Sequence, residues 1–448
     1  MAIDWGRAGG EAVEHLRNLI RINTVNPPGN ELAAASYIRD VLDSEGIPSE
    51  IIVSGPERGN VVARLQGSGK GGRPLLLSAH LDVVAVDSEM WTHDPFGGEI
   101  HDGFLWGRGA VDMKNMAAMQ LVTMLLLKRE GVPLGRDVIL AGVADEEAGS
   151  EYGSGFLVDK HPEKIQAEYC LTEVGGFSMH VDNATLYPVQ VAEKGICWMR
   201  LHARGEPGHG SIPHSHQATV KLATAVAKLG TARLPRHRVP LVEEFVRAIA
   251  KHSNQPTRAV LPQILNRFLG GPVLDVIQHM NPWQAASLSA MLSNSVAPTI
   301  YQGGKKINVI PSHASIDLDG RLIPGQTSDD LVREIRDIIG GDYEIEILKH
   351  APGSVFDHKT LLFDAICRTV RRHDPGAVPI PYMITGFTDA YCYGRLGIKS
   401  YGFAPVRLPP GLVFAKLYHG HDERIPVEGF VWGTRLFYEL VAEFAGEV

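Results

Sequence analysis

Cysteine is scarce in this 448-residue chain and never paired: Cys170, Cys197, Cys367 and Cys392 lie far apart with no CxxC spacing. That pattern argues against a four-cysteine zinc site and reads as reduced core thiols of a cytosolic protein. Basic clusters are missing too, and a net charge of −8 gives no electrostatic reason to expect nucleic acid as a partner. No apolar run approaches the length of a membrane span, so no membrane association is expected. The start of the chain lacks the basic segment and apolar core of a signal peptide; Leu16, Leu19 and Ile20 instead follow the spacing of an amphipathic helix. Internal repeats, low-complexity tracts and long Gly/Ser linkers are also absent. These absences fit a cytoplasmic globular protein, long enough for two domains that each bury a core.

What the chain does carry is an ordered series of metal-capable residues. They are His80 and Asp82 in LLLSAHLDVV, Asp112 in GRGAVDMKN, Glu146 and Glu147 in AGVADEEAGS, Glu173 in CLTEVGG, and His419 in YHGHDERI. Imidazole and carboxylate without thiolate suit zinc or a similar divalent ion, and so many carboxylates suggest a two-metal hydrolytic site. A lone His or Asp after a strand is more often a hydrogen-bonded structural residue, but position changes that reading. The apolar runs 73–79 and 137–143 read as buried parallel strands that end just before His80 and just before Asp145, Glu146 and Glu147. Residues 169–172 deliver Glu173 in the same way, and 400–404 form a further strand leading toward His419. In open α/β sheets the C-terminal strand edge is where ligands bind. Carboxylates converging there would repel one another unless cations or protons neutralised them, and metal is the simplest neutraliser.

Helix patterns alternate with apolar strands up to about Val189, the signature of a mostly parallel sheet with helices on both faces, hence an α/β fold. Residues 190–204 then read as a strand opening a new unit, 218–229 as a helix, and 307–323 as an alternating half-buried strand. Helical spacing resumes over 328–339 and 361–371. The expected layout is a discontinuous catalytic domain, 1–190 and 326–448, with an inserted α+β lid at 191–325 whose segment 240–302 is long for a minimal lid.

The segments HLDVV, GRGAVDMKNMAAM, ADEEAGS, GHGSIPH, NVIPSHASIDLDGRLIPG and HGHDERIPV resemble, in order and over nearly the whole chain, the motifs of the co-catalytic zinc metallopeptidases. That family includes aminoacylase, glutamate carboxypeptidase, carnosinase and succinyl-diaminopimelate desuccinylase. The resemblance implies a zinc-exopeptidase-like catalytic domain with two Zn2+ per chain, Co2+ or Mn2+ being substitutes. Asp112 would bridge the ions, with His80 and Glu173 on one and Glu147 and His419 on the other; His421 competes with His419 for that place, and only the HxxDE spacing favours His419. Asp82 would fix the His80 imidazole through its carboxylate. Glu146, left without a metal, would be the general base acting on the water held between the zincs. Family members also carry a cis peptide here, between Asp112 and Met113.

The same resemblance makes His209 the residue that steadies the tetrahedral intermediate, and Asn308, Arg321 and Gly386 substrate contacts, the guanidinium forking onto a free carboxylate beside the scissile amide. The inserted unit would act as lid and dimerisation domain of a homodimer. The expected activity is hydrolysis of an amide bond next to a free carboxylate, with the carboxypeptidase S and N-acyl-amino-acid hydrolase branch most similar. Leu261, Ile264, Leu265, Phe268, Leu269 and Val273 could line an acyl pocket or form an ordinary helical core. Alternatives are a dipeptidase of the same family, a mononuclear amidase, and a catalytically inactive metal-binding protein.

Overall fold

The computed structural model describes residues 3–182 and 184–447, and the chain divides into two compact units. The first comprises Met1–Val191, Phe356–Tyr382 and Thr388–Val448. Its centre is a sheet whose inner strands, Leu75–His80, Val138–Val143 and Tyr169–Thr172, are buried along their whole length. Strands apolar on both faces must be covered on both faces, which favours a parallel sheet under helices. Leu75–His80 indeed runs parallel to both Val138–Val143 and Tyr169–Thr172, and Lys399–Gly402 continues the parallel set beside Tyr169–Thr172. Antiparallel strands extend the sheet: Arg58–Leu65 beside Val138–Val143, then Ser49–Gly55, and on the other side Ala184–Glu193, which meets Lys399–Gly402 at Gln190. The helix Lys114–Arg129 is buried from Lys114 to Leu127, a sign that neighbours cover it all round. Lys114 is buried with it, its ammonium donating to the carbonyls of Leu19 and Ile22 at 2.9 and 2.7 Å.

The second unit comprises Ala192–Val355 and Met383–Phe387. It is built on a four-stranded antiparallel sheet in the order Ser295–Gly303, His313–Leu322, Gly195–Arg204, Glu344–Ala351. Alternation sorts the faces. Cys197, Met199 and Leu201 join Ile316 and Leu318 in a core closed by Leu222 and Leu229 of helix Ala218–Thr231 and by Leu331, Ile335 and Ile339 of helix Ser328–Ile339. Trp198 and Arg200 face the other way, pairing with Asp319 and Asp317.

Three expectations change. Residues 326–355 do not rejoin the first unit: helix Ser328–Ile339 closes the second unit's core and Glu344–Ala351 is its edge strand, so the return falls at Phe356. The run 190–204 is two strands, Ala184–Glu193 and Gly195–Arg204, broken at Lys194. The run 307–323 likewise breaks after Ile310, before His313–Leu322 begins; Pro311 there has no N–H to donate to a ladder. The long segment after Pro240 folds as helices, including Pro240–His252, Gly270–Met280 and Pro282–Leu292. Its acyl-pocket candidates separate: Leu261 and Ile264 are core, whereas Phe268 is 82% exposed and Leu269 49%.

Adjacent glycines in helix Trp5–Arg21 offer a test of packing. A Cβ on Gly9 would lie 2.4 Å from Val431 Cγ1 of helix Val427–Ala445, a β-branched side chain with little freedom to move, whereas a Cβ on Gly10 would meet nothing within 4 Å. Gly9→Ala is expected to destabilise by about 1–3 kcal/mol through overpacking. Gly10→Ala should stabilise by about 0.5–1 kcal/mol through helix propensity. Thermal unfolding of the two variants checks this; equal shifts would contradict the close approach of the two helices.

Candidate metal centre

The parallel strands deliver their ligands to one edge of the first unit's sheet. His80 closes its strand, and its Nε2 lies 3.1 Å from Asp112 Oδ1, 3.8 Å from Glu173 Oε2 and 4.0 Å from Glu146 Oε2. The second oxygen of Asp112 lies 3.1 Å from Nε2 of His419, which in turn is 3.1 Å from Glu147 Oε2. Two sets of donors are each close enough to share an ion: His80 with Glu146 and Glu173, and His80 with Asp112 and Glu147. His421, by contrast, is exposed and joins neither set among the described residues. The peptide between Asp112 and Met113 is cis.

Backbone anchors fix these side chains. Asp82 faces the His80 imidazole twice: its carbonyl oxygen lies 3.0 Å from His80 Nδ1 and its carboxylate Oδ1 3.5 Å from the same nitrogen. The Asp82 carboxylate also accepts the N–H groups of Glu146 and Glu147, both at 3.1 Å, and the Asn26 amide at 2.8 Å. It therefore positions the acidic turn as well as the imidazole. That turn leaves the strand through Asp145, in the left-handed region at φ 68°, whose carboxylate is held by Asn26 and by the buried guanidinium of Arg58 at 2.7 Å. On the opposite side, Glu423 is buried and accepts the N–H groups of Gly109, Val111 and Asp112 at 3.1, 2.7 and 3.1 Å, with Arg108 beside it at 2.7 Å.

Reading the sequence residue by residue missed Glu423, Asp145 and Asn26 as positioning groups, and Asp389 as a buried carboxylate accepting from Ser150 and Ser154 at 2.7 and 2.5 Å. The HxxDE spacing that pointed to His419 contained Glu423, and Asp145 stood beside Glu146 and Glu147 at a strand end, so their signals were present; nothing in the sequence marked Asn26 or Asp389.

Burial and mutual repulsion govern the charge of the cluster. Burial, then the neighbouring Glu173 carboxylate, pushes Glu146 well above the usual carboxylate range. Burial raises Glu147, with Asp112 adding to it, and raises Glu173 to about 7. Burial also acts on Asp112, but hydrogen bonds from His419 and His80 outweigh it and hold that carboxyl low. His419 is pushed up to about 10 by its bonds to Asp112 and Glu147. His80 rises well above its ordinary value because Asp112, Asp82 and Glu173 together overcome its desolvation. Without cations, then, the cluster is held together by protons, and Glu147 Oε1 is buried with no hydrogen-bond partner. Imidazole and carboxylate donors gathered in this way fit divalent cations.

The substrate-side candidates lie on the second unit. His209 and Asn308 belong to one two-stranded ribbon: Gly208–His209 pairs with Val309–Ile310, and the Asn308 carbonyl accepts from Gly210 N–H at 2.9 Å. His209 Nδ1 lies 2.7 Å from Ser211 Oγ and accepts from the backbone N–H of Ser211 at 3.2 Å, an arrangement that leaves Nε2 clear of these contacts. Arg321 forks onto Asp319 at 2.8 and 3.1 Å. At Gly386 an added Cβ would make only an ordinary contact, 3.7 Å from Ile384 Cδ1, so crowding does not require glycine there.

A parallel-centred sheet with buried carboxylates and the buried His80 imidazole at its C-terminal edge, joined there by the more exposed His419, defines a metal-dependent hydrolase. The model of "Peptidase family M20/M25/M40" matches residues 76–443, and the chain belongs to that family. It is 27% identical over 403 residues to "Probable carboxypeptidase S-like 2" of Dictyostelium discoideum, covering 85% of this chain and 74% of that protein. It is 28% identical over 448 residues to "N-fatty-acyl-amino acid synthase/hydrolase PM20D1" of Homo sapiens, covering 96% and 86%. Among solved structures, human carnosine dipeptidase 1 superimposes with a TM-score of 0.69 at 16% identity, covering 98% of both chains. No helix among the described residues is long and apolar enough to cross a membrane.

Because protons and cations compete for the same donors, metal binding should release protons, and apparent affinity should rise with pH. The raised groups set the window: protonation of Glu173, near 7, and of His419, near 10, opposes binding below those values. Competition against a chelator of known affinity from about pH 6 to about pH 9 measures this. Constant affinity over that range would contradict the proton-held cluster.

Proposed function

We propose that the protein hydrolyses N-acyl amino acids, cleaving an amide bond whose amine side bears a free carboxylate, with two divalent ions, Zn2+ by preference and Co2+ or Mn2+ as substitutes. The observation that carries this reading is Asp112, whose two oxygens each lie 3.1 Å from a different imidazole, the disposition of a bridging ligand. His80 and Glu173 would complete one ion's set, Glu147 and His419 the other's. A mononuclear site would leave this bridging arrangement without a purpose. When bound, the ions supply Lewis acidity and bring the pKa of a coordinated water toward about 7.

The chain's own residues do the rest. Glu146 is the general base: its side chain is only 9% exposed, and the burial that raises its proton affinity makes it a ready acceptor from water and a donor to the leaving amine. Asp82 keeps Glu146 and Glu147 in register through their backbone N–H groups. His209, with Nδ1 engaged by Ser211, would donate from Nε2 to the oxyanion. Arg321 shares its guanidinium between Asp319 and the substrate carboxylate, having donors beyond the two that Asp319 uses. Asn308 holds the His209 turn through its carbonyl and offers its amide to the substrate, and Gly386 leaves space on the substrate side. The second unit acts as lid and as the contact surface of a homodimer. Four free cysteines, three of them buried, suit the reducing cytoplasm.

Two features favour acylated substrates over dipeptides. The human relative is named for N-fatty-acyl amino acids, and the buried carboxylates beside the ligand set are already engaged: Asp389 Oδ1 by two serines, Asp82 and Glu423 by backbone N–H groups, and Asp145 by Arg58.

Glu146→Gln is expected to keep its metal and lose turnover by about three orders of magnitude, whereas Asp112→Ala should lose both. Full activity in Glu146→Gln would remove the general-base assignment. A paired panel of N-acyl amino acids and dipeptides with the same C-terminal residues, assayed with metal counted on the same sample, decides the substrate class. Preference for free-amine peptides would overturn the N-acyl reading.

A further inference from the structure

A second set of metal-capable residues lies on a small ribbon of the first unit. Strands Glu99–His101 and Phe104–Trp106 form a tight hairpin through Asp102 and Gly103, both at positive φ (50° and 79°), the conformation that an Asp-Gly pair favours in a two-residue turn. Period-two alternation puts Glu99 and His101 on one face of the first strand, with Trp106 directly across from Glu99 on the same face. His93, from the preceding loop, stacks on His101 with ring centroids 3.8 Å apart and planes within 4°, and Trp106 packs its ring against His93 at 4.6 Å and 80°. His101 Nε2 lies 2.8 Å from Glu99 Oε2.

We propose that His93, Glu99 and His101 form an additional site for a zinc-class divalent cation, separate from the buried centre. Each offers one donor atom, and all three atoms lie within 4.8 Å of one another. A tetrahedral ion with bonds of about 2.1 Å needs donors about 3.4 Å apart. His101 and Glu99 have side chains 38% and 53% exposed, free enough to close that gap by small rotations. The stack and Trp106 keep the two imidazoles neighbours, but because each lone pair lies in its ring plane the rings must tilt out of their parallel stack to converge on one ion, a cost shared with the ordering of Glu99. Two imidazoles and one carboxylate leave the ion a coordination position open to water.

The ribbon's location gives the ion a lever. Strand Phe104–Trp106 also pairs with Arg424–Pro426, which begins at the residue after Glu423, and Gly107 N–H donates to the Glu423 carbonyl at 3.0 Å. An ion on the hairpin would stiffen the segment from which both the Asp112 loop and Glu423 depart. With only three donors, none of them buried, it should bind more weakly than an ion held at the buried centre.

The test is metal counting and titration calorimetry with Zn2+ on apo-protein, comparing wild type with His101→Phe, which keeps an aromatic ring in the stack but removes a ligand, and with Glu99→Gln. Wild type should bind one equivalent more than His101→Phe, in a separate weaker phase that Glu99→Gln shifts at least tenfold, while turnover at limiting zinc stays unchanged in both variants. In a second measurement, Cu2+ added to the zinc-loaded wild type should quench a fluorescence component that Trp106→Phe lacks. Equal stoichiometry in wild type and His101→Phe, or quenching that survives in Trp106→Phe, would overturn the proposal. The difference of one ion is read relative to the buried centre, so a failed dinuclear assignment would leave this result interpretable.

Discussion

Repulsion among carboxylates brought to one sheet edge is the constraint around which the first unit is organised. Asp112, Glu146, Glu147 and Glu173 gather about His80 and His419 within hydrogen-bonding or near-bonding distance, and burial raises three of the four. Such an arrangement is tolerable only if it is clamped mechanically as well as neutralised. The clamps are backbone contacts: Asp82 takes two N–H groups of the acidic turn, and Glu423 takes three from the Asp112 loop. Arg58, buried between Glu31 and Asp145, and Arg108, buried beside Glu423, supply the fixed positive charges behind those clamps. The ligands thus stand on a scaffold whose own charges are paired one layer out, which leaves the inner cluster's charge free to be balanced by whatever cation or proton enters.

Much of this was legible in the chain because it obeys short-range rules. Apolar runs such as LLLSAH and VILAGV are too short and too uniformly apolar to be surface helices, and each ends at a candidate ligand, so sheet, edge and ligand order could be read together. What escaped depends on contacts distant in sequence. Asp82 two residues beyond His80 suggests a carboxylate–imidazole contact; the chain path also brings the Asp82 carbonyl to the ring and shares the carboxylate with a turn more than sixty residues later. Asn26 and Asp145 acquire their roles only through that same meeting. The domain return was misplaced for a related reason: helix Ser328–Ile339 has an amphipathic pattern that would suit either unit, and only its seating on Cys197–Leu201 and Ile316–Leu318 assigns it.

The second unit shows how little of a substrate-side group's chemistry is encoded by residue type. His209 lies in an exposed ribbon, and its Nδ1 is occupied by the hydroxyl and backbone N–H of one neighbour, Ser211. Arg321 sits on the sheet face opposite the helices, where Arg200 and Trp198 pair with Asp317 and Asp319, so its fork onto Asp319 continues a row of polar cross-strand partners. A sequence can nominate these residues, but their protonation and availability are set by neighbours on adjoining strands.

Backbone strain concentrates at the same places as the charge. Three of the turns that carry ligands pass through the left-handed region at residues other than glycine: Asp145 at φ 68° precedes Glu146 and Glu147, Val174 at φ 61° follows Glu173, and His419 itself is at φ 57°. An aspartate tolerates this region; a β-branched valine does so reluctantly, and such positions cost about 1–3 kcal/mol each. The flanking Gly175 and Gly176 relieve none of that cost at Val174, but they let the chain turn sharply against the backbone of Gly402 and Ala404, where a Cβ at either position would collide. Strain at a ligand-bearing turn persists only if the surrounding structure over-determines it, and here the close-packed strand ends do so. The chain therefore departs from local backbone preference at the points where its carboxylates and imidazoles must converge.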